Sequence, residues 1–251
     1  MDNNNVNRPL RWYQRWTGIM GVGLVLVILL MVIIFSAVVG YYVWQIRQGK
    51  GEILFNKVYS GFSTTSTQFN VQEGKIDKSE LEIADAPYLG SNNPKVTVVE
   101  FVDFKCPNCK LASPIMRQVL QKYGNKVKLI IRNFPVESTH AGSNQLAIIS
   151  MCAYDQGYYW PMHDWLYLQQ ELLDNNFSDE ELKNLAINFG WDAQKMFTCV
   201  NDPASRVRIN KDYADGYRFG VAGTPTFFIN GEKVEGVIPF SVWELYLNNV
   251  K

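Results

Sequence analysis

The chain has 251 residues, 47% of them hydrophobic, and its charges balance, with Lys+Arg 24 against Asp+Glu 24. That length supports a sizeable core, and the balance gives no electrostatic reason to expect nucleic acid as a partner. With four cysteines the chain is not a small scaffold stapled by disulfides for want of a core.

Residues 1–15 read as a short tail carrying Arg8, Arg11 and Arg15. No charge occurs from Trp16 to Ile46, and the apolar block Ile19–Val39 alone reaches the roughly 20 residues that a membrane helix needs. Trp12, Tyr13 and Trp16 flank it on one side and Tyr41, Tyr42 and Trp44 on the other, as in aromatic belts. Residues 16–46 are therefore expected to be a single uncleaved membrane anchor. The rival reading is a cleaved signal peptide. Against it, the block exceeds the usual apolar length of about 7–15 residues, and no A-x-A pattern stands directly behind it. Arg47, Lys50 and Lys57 after the span nearly match the arginines before it, so basic residues alone do not orient it.

Residues 47–92, with S-T-T-S-T at Ser63–Thr67, read as a polar linker. Within it, Leu81–Leu89 is the stretch suited to packing on a domain edge. A compact domain is expected over 93–251. It opens on a β-branched apolar run, Val96–Val102, which reads as a buried strand. The pair Cys106-Pro107-Asn108-Cys109 follows at once. Then Leu111, Ile115, Met116, Val119, Leu120 and Tyr123 recur at helical spacing, and Gly124 stops them. Pro114 falls inside this helix, which continues past it to Tyr123.

Val127–Phe134 reads as a second strand, parallel to the first through a right-handed crossover. Residues 139–219 read as helical, broken at Gly157, Pro161, Asn175–Asn176, Gly190 and Pro203. Ser178 caps one of these helices, and Asp179, Glu180 and Glu181 acidify its first turn. Thr226–Ile229, the turn Asn230-Gly231 and Lys233–Val237 read as a hairpin, and Ser241–Val250 as a closing helix. The order β-α-β, helical block, β-β-α is that of an α/β core carrying an all-helical insertion.

Cys106 is placed at the first turn of a helix leaving a buried strand. Free N–H groups and the helix dipole there favour a thiolate, the reactive form of cysteine. Cys109, one turn further in, is the less exposed resolving thiol. The alternative is half of a zinc site, which needs two more ligands; only Cys152 and Cys199 could supply further thiolates. Glu100 interrupts the buried strand, where a carboxylate is costly unless protonated or paired; the alternative is an outward-facing position. Asp103 is expected at the strand's edge, with no role. Thr224-Pro225 is an X-Pro bond, the kind that goes cis cheaply, with a trans turn as the alternative. His140 and His163 are read as structural, and Tyr158–Tyr167 as core.

Three stretches together resemble the thioredoxin superfamily, and within it the DsbA-like thiol:disulfide oxidoreductases. They are F-V-D-F-K-C-P-N-C, ending at Cys109; G-T-P-T-F-F-I-N-G, Gly223–Gly231; and C-A-Y-D-Q-G-Y-Y-W-P-M-H, Cys152–His163, in the helical block between them. The resemblance covers about residues 93–251 and implies a thioredoxin fold with an inserted helical subdomain. It implies that Thr224-Pro225 is cis and lies against the C-x-x-C, with the Thr224 backbone pairing to an extended substrate. It puts a buried acid at Glu100, exchanging protons with Cys109. It also pairs Cys152 with Cys199 as a structural disulfide; buried free thiols are the alternative.

Pro107 and Asn108 tune the pair. Family members with Pro-His there have a positive charge where this chain has Asn108, which offers a hydrogen bond but no charge. The Cys106 pKa is therefore expected below that of a free thiol, but less depressed than with Pro-His. Thr224 stands where the type member has Val, and Thr also occurs there in isomerase relatives. The resemblance implies a membrane-anchored enzyme, N-terminus cytoplasmic and domain outside, that introduces disulfides into cysteine-containing exported proteins. It needs no metal or organic cofactor, only the redox-active disulfide Cys106–Cys109. Its expected partner is a membrane quinone-linked reoxidase of the DsbB or VKOR-like kind. The alternatives are a reductase or isomerase of the same fold, or a non-catalytic chaperone-like binding module.

Overall fold

The structure, a computed structural model, describes residues 12–45, 75–173 and 177–250. The chain divides into two units, Met1–Ser66 and Thr67–Lys251. The expected tail before Trp12, the linker before Lys75 and the break at Asn175–Asn176 lie outside the described residues.

In the first unit, α1 (Trp12–Gln45) is one continuous helix of 34 residues. Its stretch Leu24–Tyr41 has mean hydropathy 3.0 and is exposed throughout, and it is long and apolar enough to cross a membrane.

The second unit is built on a five-stranded sheet of order β1-β3-β2-β4-β5. Central β2 (Val96–Val102) pairs in parallel with β3 (Val127–Asn133), the crossover between them being α3 (Pro107–Tyr123). On its other side β2 pairs antiparallel with β4 (Thr226–Ile229), which turns through Asn230-Gly231 into β5 (Glu232–Glu235). Asn230 (φ 51) and Gly231 (φ 91) both take left-handed backbone, as a two-residue hairpin turn demands. The second strand of this hairpin ends at Glu235 rather than Val237, because Gly236 (φ 84) turns the chain away.

All seven residues of β2 are buried, since helices cover both faces of the sheet. Alternation divides its side chains. Val96, Val98 and Val102 join a core with Met116 and Val119 of α3 and with Trp243 and Leu247 of α9 (Phe240–Asn249). Val99 and Phe101 face the opposite core, with Leu81, Phe134, Phe219 and Phe228. There α8 (Pro203–Arg218) comes so close that a Cβ on Gly216 would sit 2.7 Å from the Phe134 ring. At the same crossing Arg132, fully buried, pairs with Asp212 at 2.5 Å and Asp215 at 2.7 Å.

The helical insertion comprises α4 (Ser143–Asp155), α5 (Tyr159–Gln169), α6 (Asp179–Asn188), α7 (Ala193–Asn201) and α8. Ser178 and Glu181 close a full capping box at the start of α6. Pro161 does not break a helix. It lies in the first turn of α5, where a missing N–H costs nothing because that group has no partner inside the helix. Pro203 likewise opens α8.

The domain also begins earlier than residue 93. A short helix, α2 (Lys78–Leu81), buries Leu81, and β1 (Tyr88–Gly90) adds an antiparallel edge strand to β3, with Tyr88 opposite Ile130. The Ile76 N–H donates to the Gly231 carbonyl, joining the start of this segment to the hairpin turn. A strand of three residues is too short to show periodicity; only its partner makes it a strand.

Candidate active site

β2 ends at Val102, and residues 103–106 turn the chain into α3. Asp103 makes this turn. Its Oδ1 accepts from the Lys105 N–H at 2.8 Å, and its Oδ2 accepts from the Val136 N–H at 2.8 Å and lies 2.8 Å from His140 Nδ1. Its carbonyl accepts from the Cys106 N–H at 3.1 Å. So Asp103 is not an idle edge residue. It is 1% exposed and ties the turn before Cys106 to the loop after β3. An Asp two residues before an N–H it can hold is a signal legible in the sequence. The Val136 and His140 contacts are tertiary and have no such signal.

Cys106 is the N-cap of α3, Pro107 its first residue, and Cys109 lies one turn in. Both cysteines are buried and reduced. The Cys106 thiol is lowered to about 6. The main cause is a hydrogen bond from the Cys109 thiol; burial opposes it. The Thr224 side chain and the N–H groups of Cys109 and Asn108 add to the lowering. Asn108 thus acts through its backbone. Its exposed side chain makes no hydrogen bond among the described residues, in place of the side-chain donor expected. Burial, and then Cys106 itself, push Cys109 well above an ordinary thiol, and Glu100 adds to the rise.

The loop before β4 completes the site. Thr224-Pro225 is cis, and the Thr224 carbonyl oxygen lies 3.1 Å from Cys106 Sγ, accepting from the thiol. Thr224 therefore presents its carbonyl as an acceptor to the thiol, while its side chain adds to the lowering of Cys106.

Glu100 shares the β2 face of Val98 and Val102. It is 3% exposed and has no hydrogen bond among the described residues. Burial alone raises its carboxyl to about 8, so it is a neutral acid at pH 7. The hydroxyls of Tyr159 and Tyr167 are buried in the same core, also without a partner among the described residues. Glu100 thus sits in a buried core with no compensating charge among the described residues.

The insertion packs on the turn from the other side. The Phe104 ring lies 5.1 Å from Tyr167 and 5.8 Å from His163. His163 is buried, lowered by burial, and shares a hydrogen bond of 2.9 Å with Asp164. The Gln170 amide donates to the carbonyls of Phe104 at 2.9 Å and Cys106 at 3.0 Å. No local signal marks Gln170, whose partner Cys106 is 64 residues away.

The structure therefore brings Cys106, Pro107, Asn108, Cys109, Glu100, Thr224 and Pro225 together. Cys152 and Cys199 lie elsewhere, joined to each other by a 2.00 Å bond between α4 and α7. Their bond removes both from any zinc site with Cys106 and Cys109.

The family model described as thioredoxin matches residues 83–249. Among solved structures, a thioredoxin-like oxidoreductase from Silicibacter pomeroyi DSS-3 superposes with TM-score 0.58 at 25% identity, covering 69% of this chain and 96% of that one. The thiol-disulfide exchange protein alpha-DsbA2 from Wolbachia pipientis gives 0.59 at 24% identity, over 69% and 91%. Oxidised BdbD from Bacillus subtilis gives 0.58 at 22% identity, over 66% and 93%; these last two likenesses are of fold. Among curated proteins, the Na(+)/H(+) antiporter NhaA 1 of Salinispora arenicola is 32% identical over 167 residues, 66% of this chain and 25% of that protein. The chain spans about a quarter of the length of the curated relatives it matches.

Proposed function

We propose that this chain, which belongs to the thioredoxin family, is a membrane-anchored thiol:disulfide oxidoreductase working outside the cytoplasm, passing its Cys106–Cys109 disulfide to cysteines of exported proteins. The observation that carries this reading is the unequal pair. Cys106 is lowered to about 6 and lies against the Thr224-Pro225 loop, while Cys109 is buried and raised.

In the oxidised enzyme a substrate thiolate attacks Cys106 Sγ. The Cys106–Cys109 bond breaks, and its electron pair leaves on Cys109, which takes up a proton. Glu100, neutral at pH 7, is the acid suited to supply it. A second substrate thiol loses its proton and attacks the substrate sulfur of the mixed disulfide. Cys106 then leaves as a stable thiolate, and the substrate has lost two electrons to the enzyme. An extended substrate segment runs along the Thr224 backbone during these steps. A membrane quinone-linked partner of the DsbB or VKOR-like kind removes the electrons, and α1 holds the enzyme beside it, N-terminus in the cytoplasm.

A reductase or isomerase is the second reading, and one observation favours it. No cation is among the causes that lower Cys106, and about 6 falls between a thioredoxin-type thiol near 7 and a DsbA-type thiol near 3.5.

The test is the reduction potential of the full chain in detergent, equilibrated with glutathione buffers. A value toward about −120 mV supports disulfide donation, and one toward about −270 mV moves the reductase to first place. Cys106→Ala separates both from a chaperone-like binder, which would keep its function in cells.

A further inference from the structure

Cys106 caps α3 without a side-chain hydrogen bond of its own, so the start of that helix is seated by contacts made to its backbone. The insertion supplies one of them. Gln170 follows the last turn of α5 and is 7% exposed. Its Nε2 donates to Phe104 O at 2.9 Å and to Cys106 O at 3.0 Å, one carbonyl on each side of Lys105. Both amide hydrogens are used. The next residues reach the same loop and the first turn of α3. Lys110 Nζ lies 2.9 Å from Glu171 Oε1, and Lys105 Nζ donates to Leu173 O at 2.8 Å.

The Cys106 carbonyl is also the first acceptor of the helix, taking the Lys110 N–H at 3.2 Å. The tilt of that peptide sets where the next N–H groups point, and those of Asn108 and Cys109 help hold the Cys106 sulfur as a thiolate. We infer that Gln170 is a positioning residue for disulfide exchange: it seats the Cys106 peptide so that the free N–H groups opening α3 converge on the Cys106 sulfur. This rests on the reading of Cys106 as the nucleophile. The helical insertion thereby takes part in setting the reactivity of a thiol carried by the thioredoxin core.

The side chain suits the task. Two carbonyls need two donors without a charge, in a buried place. A glutamate has no donor when ionised, and a lysine would bring a buried charge.

The test compares wild type, Gln170→Met and Gln170→Glu as full chains in detergent, reading the Cys106 thiolate titration and the rate of exchange with a dithiol peptide across pH. In Gln170→Met both donors are lost. The Cys106 midpoint is expected to rise by about half a unit to one unit, the scale of a lost neutral hydrogen bond. In Gln170→Glu exchange is expected to fall as the new carboxyl ionises, adding a limb to the pH profile that wild type lacks. If Gln170→Met fails to fold, Gln170→Asn withdraws the same donors by one methylene and is read the same way. The inference is overturned if the variants melt lower but keep the wild-type titration and pH profile, since Gln170 is then structural only. If wild type itself exchanges no disulfides, the proposed function fails instead, and the Cys106 titration still decides the role of Gln170.

Discussion

The Cys106 sulfur lies 3.1 Å from the Thr224 carbonyl oxygen, across 118 residues of chain. The two protonation states of the sulfur meet different parts of the same residue. The carbonyl accepts from the thiol, and the side chain favours the thiolate, lowering the Cys106 pKa. The position before Pro225 thus bears on the titration of Cys106.

Thr224→Val keeps the shape and removes only the donor. Its Cys106 midpoint is expected above the wild-type value of about 6, by about half a unit to one unit. Thiolate absorbance against pH measures it. An unchanged midpoint would show that the hydroxyl does not reach the sulfur.

The unequal thiols make the reduction potential bend with pH. Below about 6, reduction takes up two protons; above it, Cys106 stays a thiolate and only Cys109 is protonated. The potential should fall by about 59 mV per pH unit below the bend and about 30 mV per unit above it. A single slope across this range would contradict the assignment of the lowered pKa to Cys106.

Glu100 holds its proton to about 8 in the folded chain, against 4.5 as its ordinary value. Between these values the folded state binds the extra proton. Its contribution is therefore fully present below 4.5, is lost as pH rises, and levels off above 8. By pH 7 that loss is roughly 3 kcal/mol. Glu100→Gln should flatten this slope in urea unfolding and slow the protonation of Cys109. Equal slopes in both proteins would mean that Glu100 is not held neutral.

The Cys152–Cys199 bond closes a separation of 47 residues. Replacing both by Ala should cost about 4 kcal/mol in the chain-entropy account and leave the Cys106 titration where it was, because the bond lies away from the site. A shifted titration would reveal a coupling between the two disulfides.

Arg132 is fully buried between Asp212 and Asp215. Asp212→Ala leaves the guanidinium without its closest partner, and unfolding should become easier by about 3–5 kcal/mol. A much smaller loss would mean that Asp215 alone satisfies it.

Much of this protein is local and was legible as such. The uncharged stretch Trp16–Ile46, the β-branched run of β2, the helical spacing behind Cys106, the Ser178 cap and the Asn230-Gly231 turn are each written within a few residues. The candidate site was legible where its chemistry is also local, at Cys106 and Cys109, and through resemblance at Pro225 and Glu100. What misled was position without partner. Asp103 does stand at the strand's edge, as its position implies, but position does not show that it holds Val136 and His140. Pro161 looked like a helix break until its neighbours showed it in a first turn.

The sequence by itself determined the α/β order, the helix N-terminus under Cys106 and the apolar span, because propensity, capping and hydropathy act over a few residues. The tertiary structure alone decided that β1 is a strand, that Asn108 works through its backbone, that Glu100 has no hydrogen-bond partner among the described residues, and that Gln170 reaches the Cys106 carbonyl. Each of these depends on what lies across a contact, and residues far apart in the chain leave no periodic trace of where they will meet.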